Sequence, residues 1–289
     1  MKQGSNENMT MRKEIIIVDW DGCLQMIDKA WCYLVKTQED KLSPWLDYSK
    51  LENYGTADFL VDLFNREEYY LDKWLLKDGI EKLPEGAYQF FMGLYSHCDF
   101  FYDGCDFLLM MDAMAGMAQQ NYVSEIIILT HVPFTNGRDL RKEKIFEEKI
   151  KPISGKFKLV QLHTTQSKGE WIRDNKPDFT VFVDDNPNVI RDVVEKNSLF
   201  EKFIYMPIYG YNSHLLKDVD FITDLIARNC EMAVYQNQII PGLDKLEYKL
   251  QAERDSRDLY DKLNSYLNKR SKEHFNEVEE MGKFDFQKE

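Results

Sequence analysis

Residues 15–24 read Ile-Ile-Ile-Val-Asp-Trp-Asp-Gly-Cys-Leu, an apolar run that leads into two aspartates. Four β-branched residues, Ile15 to Val18, run directly into Asp19, and Asp21 follows two positions later. A short continuous apolar run is typical of a parallel strand that is buried on both faces. The carboxyl ends of such strands border the crevice in which ligands bind. Two interpretations are open from this stretch alone: an Asp-Gly turn, which both residue types favour, or an anionic pocket.

Four more strand-like runs follow along the chain, and segments with helical character separate them. The runs lie at residues 126–129, 157–162, 179–183 and 203–206. Strands that alternate with helices imply right-handed crossovers and a parallel sheet. The sequence therefore predicts an α/β fold with a doubly wound, Rossmann-like parallel sheet, formed by residues 13–24 and 102–230.

Residues 25–101 differ in composition from this core, because they are rich in aromatic and charged residues. Apolar pairs such as Phe59-Leu60 and Leu63-Phe64 recur with the 3.6-residue period of a helix. We predict that the stretch forms a helical cap, inserted over the carboxyl end of the first strand. Its aromatic rings either fill the core of the cap or line a pocket above the strand.

Residues 231–289 form a third region, which is strongly charged along most of its length. Leu243, Leu246 and Leu250 fit the apolar seam of a coiled coil, but Glu253 interrupts the pattern. We therefore predict a charged helical tail as a C-terminal extension of the core. The tail is either a solvated helix or a helix that mediates self-association.

The composition argues against some broad functional classes. The chain has 289 residues, of which 44% are hydrophobic, and a net charge of −13. An acidic surface repels nucleic acids and anionic membranes, so we expect neither extended nucleic acid nor a membrane as partner. No apolar run reaches the length of a membrane span, and the polar start has no signal-peptide core. The five cysteines lack paired spacing, which indicates a reducing compartment and a cytoplasmic protein.

Polar residues follow four of the predicted strands, close to the point where each strand ends. Because the carboxyl ends of parallel strands meet at one edge of the sheet, we expect these side chains to lie together. Clustered carboxylates in a low dielectric require a cation, and Mg²⁺ suits them because it takes oxygen ligands. The residues are Asp19, Asp21, Thr130, Lys168, Asp184 and Asp185.

This set of side chains has the chemistry for phosphoryl transfer. Of two aspartates, one can attack as a nucleophile, and its neighbour two residues on can serve as acid and base. A hydroxyl and a lysine beside them stabilise the negative charge of a transferring phosphoryl group. The conjunction of these residues at matching strand ends favours an active site over the Asp-Gly turn.

In this order the motifs resemble those of the haloacid dehalogenase-like hydrolase superfamily. The D-x-D-G motif of that superfamily matches Asp19-Trp20-Asp21-Gly22, and its Thr or Ser after an apolar strand matches Thr130. Its lysine before a short helix matches Lys168, and its paired acid matches Asp184-Asp185. The similarity extends over residues 13–208.

The resemblance implies a catalytic role for four of these residues. Asp19 forms an aspartyl-phosphate, while Asp21 protonates the leaving group and then activates water. Thr130 and Lys168 hold the phosphoryl oxygens. Members of the superfamily that dehalogenate lack the second aspartate, so Asp21 favours phosphoryl chemistry.

The resemblance also implies a magnesium site. Its ligands are Asp19, Asp184 and the backbone carbonyl of Asp21. Asp185 supports the site through contact with water or with the lysine. The cofactor expected from both the residue types and the resemblance is therefore Mg²⁺.

Within the superfamily, residues 182–187 and a small helical cap look most like the 5′(3′)-deoxyribonucleotidase branch. This likeness implies a phosphatase that acts on a small phosphomonoester, such as a nucleotide. Cap residues such as Trp31, Trp45 or Tyr54 are candidates to stack on a base. His131 stands where a small residue is common in that branch, and it is either a phosphate contact or a loop histidine.

Two alternatives to a small-molecule phosphatase stay open. A polynucleotide end phosphatase needs a basic groove that leads to Asp19. A non-catalytic protein of the same fold would use the charged tail as its binding element, but such members usually lose the nucleophile or the paired acids. Arg138, Arg141 and Lys142 either add positive potential near the site or form a solvated helix face.

Overall fold

The computed structural model describes residues 13–96, 108–133, 137–228, 230–236 and 261. Within them six strands form one parallel sheet in the spatial order β3-β2-β1-β4-β5-β6. The predicted α/β fold with a doubly wound parallel sheet is thus confirmed. The strands are β1 (Glu14–Val18), β2 (Val123–Val132), β3 (Phe157–His163), β4 (Val181–Val183), β5 (Phe203–Ile208) and β6 (Glu231–Gln236).

The strand β1 lies at the centre of the sheet, between β2 and β4. All five of its residues are buried. Ile16 and Val18 pack into the apolar cluster on one face of the sheet, while Ile15 and Ile17 pack into the cluster on the other. Burial on both faces explains why the strand is a continuous apolar run instead of an alternating one. The chain continues to β2 on one side and later to β4 on the other, so a crevice opens at the carboxyl end of β1.

Helices cover both faces of the sheet, and side-chain caps fix the start of several of them. The Ser167 hydroxyl accepts a hydrogen bond from the backbone N–H of Glu170, and Asn186 caps a helix that has proline at its first position. The core helices are Leu109–Ala118, Leu140–Ile145, Lys168–Asn175, Pro187–Lys196 and Val219–Ala227, with a π-helical turn at Phe146–Ile150 and a 3₁₀ helix at Gly210–Lys217.

The described part of residues 25–101 is helical and has an apolar cluster of its own, which includes Leu63 and Phe91. Two tyrosines of the core, Tyr209 and Tyr211, complete this cluster, so the cap packs on the segment that follows β5. The cap helices are Ile27–Lys36, Glu39–Leu42, Ala57–Asn65, Leu71–Leu75 and Glu85–Ser96, with a 3₁₀ helix at Tyr48–Leu51.

The predicted boundary between core and tail is wrong. The strand β6, Glu231–Gln236, pairs in parallel with β5 and extends the sheet beyond the five predicted strands. A run of six residues at the edge of a sheet carries little signal in the sequence, which explains the error. Residues 237–260 and 262–289, including the leucines of the predicted tail, lie outside the described part of the chain. Among the described helices, none has the length and apolar character needed to cross a bilayer.

Candidate active site

The predicted site residues come together at the carboxyl edge of the sheet. Asp19 follows β1, Thr130 lies near the end of β2, and Asp184 follows β4. Lys168 is the first residue of the helix that Ser167 caps. The backbone N–H of Asp19 donates to the carbonyl of Val183 at 2.9 Å, which holds the loops after β1 and β4 side by side. The parallel register therefore places these side chains in one crevice.

Lys168 joins two of the aspartates. Its Nζ lies 2.9 Å from Asp19 Oδ1 and 2.8 Å from Asp184 Oδ2, and the ammonium is fully buried. Burial lowers the pKa of Lys168, but the carboxylates of Asp184 and Asp19 outweigh it and raise the pKa above its ordinary value. The lysine therefore stays charged and fixes the orientation of Asp19. Its predicted contact with a phosphoryl oxygen stays a prediction.

Three buried carboxylates could hold a metal ion. Asp19, Asp184 and Asp185 each offer one oxygen, and these oxygens lie within 4.8 Å of one another. Burial raises the pKa of Asp184 to about 7 and raises the pKa of Asp185 well above its ordinary value. Asp185 Oδ1 is buried without a hydrogen-bond partner. An oxygen-only set with an unsatisfied buried oxygen fits Mg²⁺, which would supply the missing charge. The carboxylate of Asp21 is not part of this group.

The glycine of the D-x-D-G motif is required by the approach of Asp185. Gly22 has a φ of +74°, in the left-handed region, and a Cβ there would lie 2.5 Å from Asp185 Oδ2. Only glycine adopts this conformation at no steric cost and leaves space for the carboxylate. The motif therefore has a geometric reason that the sequence alone did not show.

Asp21 is held by a lysine that the sequence analysis left undecided. Lys142 Nζ lies 2.6 Å from Asp21 Oδ2 and 2.9 Å from Thr130 Oγ1, and the side chain is fully buried. The interpretation as part of a solvated helix face is wrong for this residue. Lys142 shares a helix face with the buried Ile145 and Phe146, three and four residues on, and this spacing was the signal available in the sequence.

The other two basic residues of that run do not reach Asp21. Arg138 is exposed and pairs with Glu143 through two hydrogen bonds. Arg141 pairs with Asp139 and also donates to the carbonyl of Tyr95. Of the three residues, the structure therefore places Lys142 alone against a predicted catalytic side chain.

The surroundings of Asp21 suit an acid and base. Its Oδ1 is buried without a hydrogen-bond partner. Desolvation raises the pKa of Asp21 to about 6, Lys142 acts in the opposite direction, and Asp19 raises it further. A group that exchanges a proton near neutral pH is well matched to general acid and base catalysis. Asp19 and Asp21 are thus held by different lysines in different environments.

A cavity of about 400 Å³ opens beside Asp21, between the core and the cap. Of the rings proposed to stack on a base, Trp31 lines this cavity. Trp45 and Tyr54 do not line it but pack against the apolar cluster of the cap, which leaves Trp31 as the candidate among the three. The other aromatic residues along the cavity are Tyr69, Tyr70, Tyr88, Tyr95 and Tyr211.

His131 lines the same cavity and is half-buried. A ring nitrogen, Nε2, lies 2.8 Å from the carbonyl oxygen of Gln166. Burial lowers the pKa of His131, and the nearby Lys168 lowers it further. The histidine is therefore neutral at physiological pH, and its hydrogen bond to Gln166 holds the ring in place at the side of the cavity.

Comparison with known proteins gives no sequence relative. No family model and no curated protein matches the chain. A haloacid dehalogenase-like family hydrolase from Xanthomonas campestris is similar in structure, with 12% identity and a TM-score of 0.43, over 85% of this chain and all of the other. A HAD-superfamily hydrolase of subfamily IA from Geobacter sulfurreducens gives 12% and 0.39, over 71% of this chain and 95% of the other.

A third solved structure, CurA from Vibrio vulnificus in complex with NADPH, gives 11% identity and a TM-score of 0.31. It is matched over 55% of this chain and 43% of its own length. Because the identities and scores are low throughout, these likenesses do not bear on the reaction. The chemistry of this chain has to be inferred from its own side chains.

Proposed function

We propose that the protein is a Mg²⁺-dependent phosphatase of the haloacid dehalogenase-like kind, which hydrolyses a small phosphomonoester. The observation that carries this proposal is that Asp19 and Asp21, only two residues apart, contact different lysines and have different surroundings. Lys168 contacts Asp19 and fixes its orientation, whereas Asp21 lies against Lys142 with its pKa raised to about 6. One carboxylate is thus suited to attack, and the other to proton transfer.

The side chains support a two-step reaction. Asp19 attacks the phosphorus atom and forms an aspartyl-phosphate, while protonated Asp21 gives its proton to the leaving oxygen. Asp21 then takes a proton from water, which attacks the phosphorus and releases phosphate and free Asp19. Thr130 and Lys168 bind the phosphoryl oxygens during both steps.

The metal-binding residues in this proposal are the carboxylates of Asp19, Asp184 and Asp185, with the backbone carbonyl of Asp21 as predicted. Mg²⁺, when bound, supplies positive charge against the phosphoryl oxygens. The protein keeps Asp19 close to that charge through Lys168. The carboxylate of Asp21 is not a metal ligand in this proposal, so it can serve as the acid.

The cavity supports a nucleoside monophosphate as the substrate class. Its aromatic walls, among them Trp31, Tyr69 and Tyr88, offer faces on which a base can stack. Arg66, the arginine among its described lining residues, pairs with Asp28. The polynucleotide alternative needs a basic groove, and a guanidinium that is already paired does not provide one.

A substrate panel tests the proposed function. We expect the purified protein with Mg²⁺ to hydrolyse nucleoside monophosphates faster than sugar phosphates or 3′-phosphorylated oligonucleotides of equal concentration. Released phosphate is the readout, and chelation of Mg²⁺ is expected to stop it. A preference for the oligonucleotide would favour the polynucleotide alternative. No turnover on any substrate would favour the non-catalytic one.

Burial of the carboxylates predicts how stability and Mg²⁺ binding depend on pH. The pKa of Asp184 is about 7 in the folded protein, whereas the pKa of an aspartate in the unfolded chain is about 3.9. Without metal, stability therefore falls as pH rises through this window, because the folded state binds more protons. Mg²⁺ needs ionised carboxylates, so its affinity rises over the same window.

The increase in Tm on addition of Mg²⁺ measures this effect. We expect a small increase at about pH 5.5 and one that is several degrees larger at about pH 8. Asp174→Asn, a change at an exposed aspartate, should show the same trend as the unchanged protein. Equal increases in Tm at the two pH values would contradict the assignment of Asp184.

A further inference from the structure

The segment Tyr209–Asn212, which we name the tyrosine loop, follows β5 and forms the N-cap and the first turn of the 3₁₀ helix Gly210–Lys217. It belongs to no motif of the sequence analysis. Its side chains are nevertheless almost completely buried, with Tyr209 and Asn212 at 0% exposure and Tyr211 at 5%. The loop touches both the cap and the catalytic loops of the core.

On one side the tyrosine loop contacts the two loops that carry the aspartates. The Tyr211 hydroxyl donates to Asp185 Oδ2 at 2.5 Å, and the Tyr209 hydroxyl donates to the carbonyl of Gly22 at 2.7 Å. The side-chain amide of Asn212 donates to the backbone carbonyl of Asp185 at 2.8 Å. Three buried donors therefore point at the loops after β1 and β4. Packing alone would not require the two tyrosine hydroxyls, because phenylalanine would fill the same space without burying a polar group.

On the other side the tyrosine loop contacts the cap at the end of helix Ala57–Asn65. A Cβ at Gly210 would overlap the backbone carbonyl of Asn65, so the two backbones touch directly. The Phe64 ring stacks on Tyr209 at a centroid distance of 5.7 Å. The cap is therefore seated on this loop by close contact and not only joined to the core by its connecting segments.

Tyr211 is the residue at which the two sides meet. The Arg66 guanidinium of the cap lies 4.9 Å from the centroid of its ring, and the Tyr69 ring packs edge-on at 5.2 Å. Its hydroxyl is the group bonded to Asp185. Movement of the cap away from the core would remove these two neighbours and leave the ring stacked on Tyr209 at 5.2 Å, so the hydroxyl would be held less firmly.

We propose that Tyr211 is a positioning residue through which the seated cap orients Asp185, so that Mg²⁺ binding and seating of the cap favour each other. The inference rests on the proposed function, because it takes Asp185 as part of the metal-binding group. Two events that each stabilise the same arrangement must strengthen one another. Mg²⁺ should then order the cap, and loss of the hydroxyl should break the connection.

The experiment measures both events in the full chain, without substrate. Calorimetry gives the Kd for Mg²⁺, and hydrogen exchange of the segment 62–70 reports seating of the cap. We expect Mg²⁺ to slow exchange there in the unchanged protein. Tyr211→Phe keeps the ring but removes the hydroxyl, and we expect it to raise the Kd by about tenfold and to abolish the protection by Mg²⁺.

Two further variants keep the test decisive. Tyr48→Phe removes a hydroxyl bonded to the carbonyl of Val35 inside the cap, and it should change neither readout. Arg66→Lys keeps a positive charge beside Asp28 but removes the planar group from the Tyr211 ring. It touches no catalytic side chain, yet we expect it to weaken Mg²⁺ binding severalfold. It decides the matter if Tyr211→Phe fails to fold.

The outcomes distinguish the role of Tyr211 from the proposed function. An unchanged Kd for Mg²⁺ in Tyr211→Phe, or protection of the cap that persists in that variant, would overturn the role of Tyr211. Hydrolysis of a phosphomonoester by the unchanged protein would still uphold the proposed function. An unchanged protein that neither binds Mg²⁺ nor hydrolyses a phosphomonoester would overturn both.

Discussion

Asp19→Asn is expected to lower kcat by about 10⁴-fold or more, which corresponds to about 5.5 kcal/mol in the barrier. Asparagine has nearly the same shape, but its amide cannot form the aspartyl-phosphate. The change also removes one of the two carboxylates that hold Lys168, at 2.9 Å. Asp184 keeps its contact with that lysine at 2.8 Å, so we expect the fold to survive.

The measurement is steady-state hydrolysis of the best phosphomonoester with saturating Mg²⁺, with Tm as a check on folding. Asp174→Asn is the matched control, because the same chemical change there affects an exposed side chain that pairs with Arg173. The control should keep full activity. If Asp19→Asn retains about a tenth of the activity or more, Asp19 is not the nucleophile.

Asp21→Asn is expected to lower kcat on alkyl phosphates by about 10³-fold. The asparagine can neither give a proton to the leaving oxygen nor activate water. With p-nitrophenyl phosphate, whose leaving group needs no proton, Asp19 should still be phosphorylated. We therefore expect a burst of p-nitrophenolate equal to the enzyme concentration, followed by slow turnover.

Lys142→Met should change activity in the same direction as Asp21→Asn but less, by about tenfold on alkyl phosphates, because Asp21 remains without its buried partner. Arg138→Met is the control, since Arg138 is exposed and pairs with Glu143. Stopped-flow absorbance resolves the burst. If Asp21→Asn lost the same fraction of kcat on alkyl and aryl phosphates and gave no burst, Asp21 would not be the residue that transfers the proton.

The sequence was sufficient for the parts of the molecule that depend on local pattern. The continuous apolar run of β1 predicted a strand buried on both faces, and the structure places it at the centre of the sheet. Because parallel strands end at one edge, the positions of Asp19, Thr130 and Asp184 followed from the order of strands alone. Chain order and strand period are enough for such inferences.

The sequence was insufficient where contacts join distant parts of the chain. Lys142 and Asp21 are 121 residues apart, so helical spacing can place the lysine on a buried face, but only the packed structure shows that it contacts Asp21. Tyr209 and Tyr211 follow β5 with no motif around them, and their importance depends on contacts with the cap, which is distant in sequence. Helical spacing does not tell a core ring from one that lines a cavity, so the sequence left open which of Trp31, Trp45 and Tyr54 faces the cavity.

In the proposed reaction Asp19 carries the phosphoryl group during turnover. The most direct measurement is acid quenching of the protein during hydrolysis with Mg²⁺, followed by mass spectrometry of its peptides. With p-nitrophenyl phosphate as the substrate, Asp21→Asn should accumulate the intermediate, because the leaving group needs no proton but water activation is slowed. We predict the added mass of one phosphoryl group on the peptide that contains Asp19, at near one equivalent per protein in that variant. Phosphorylation at another residue, or rapid turnover with no labelled peptide, would contradict the claim.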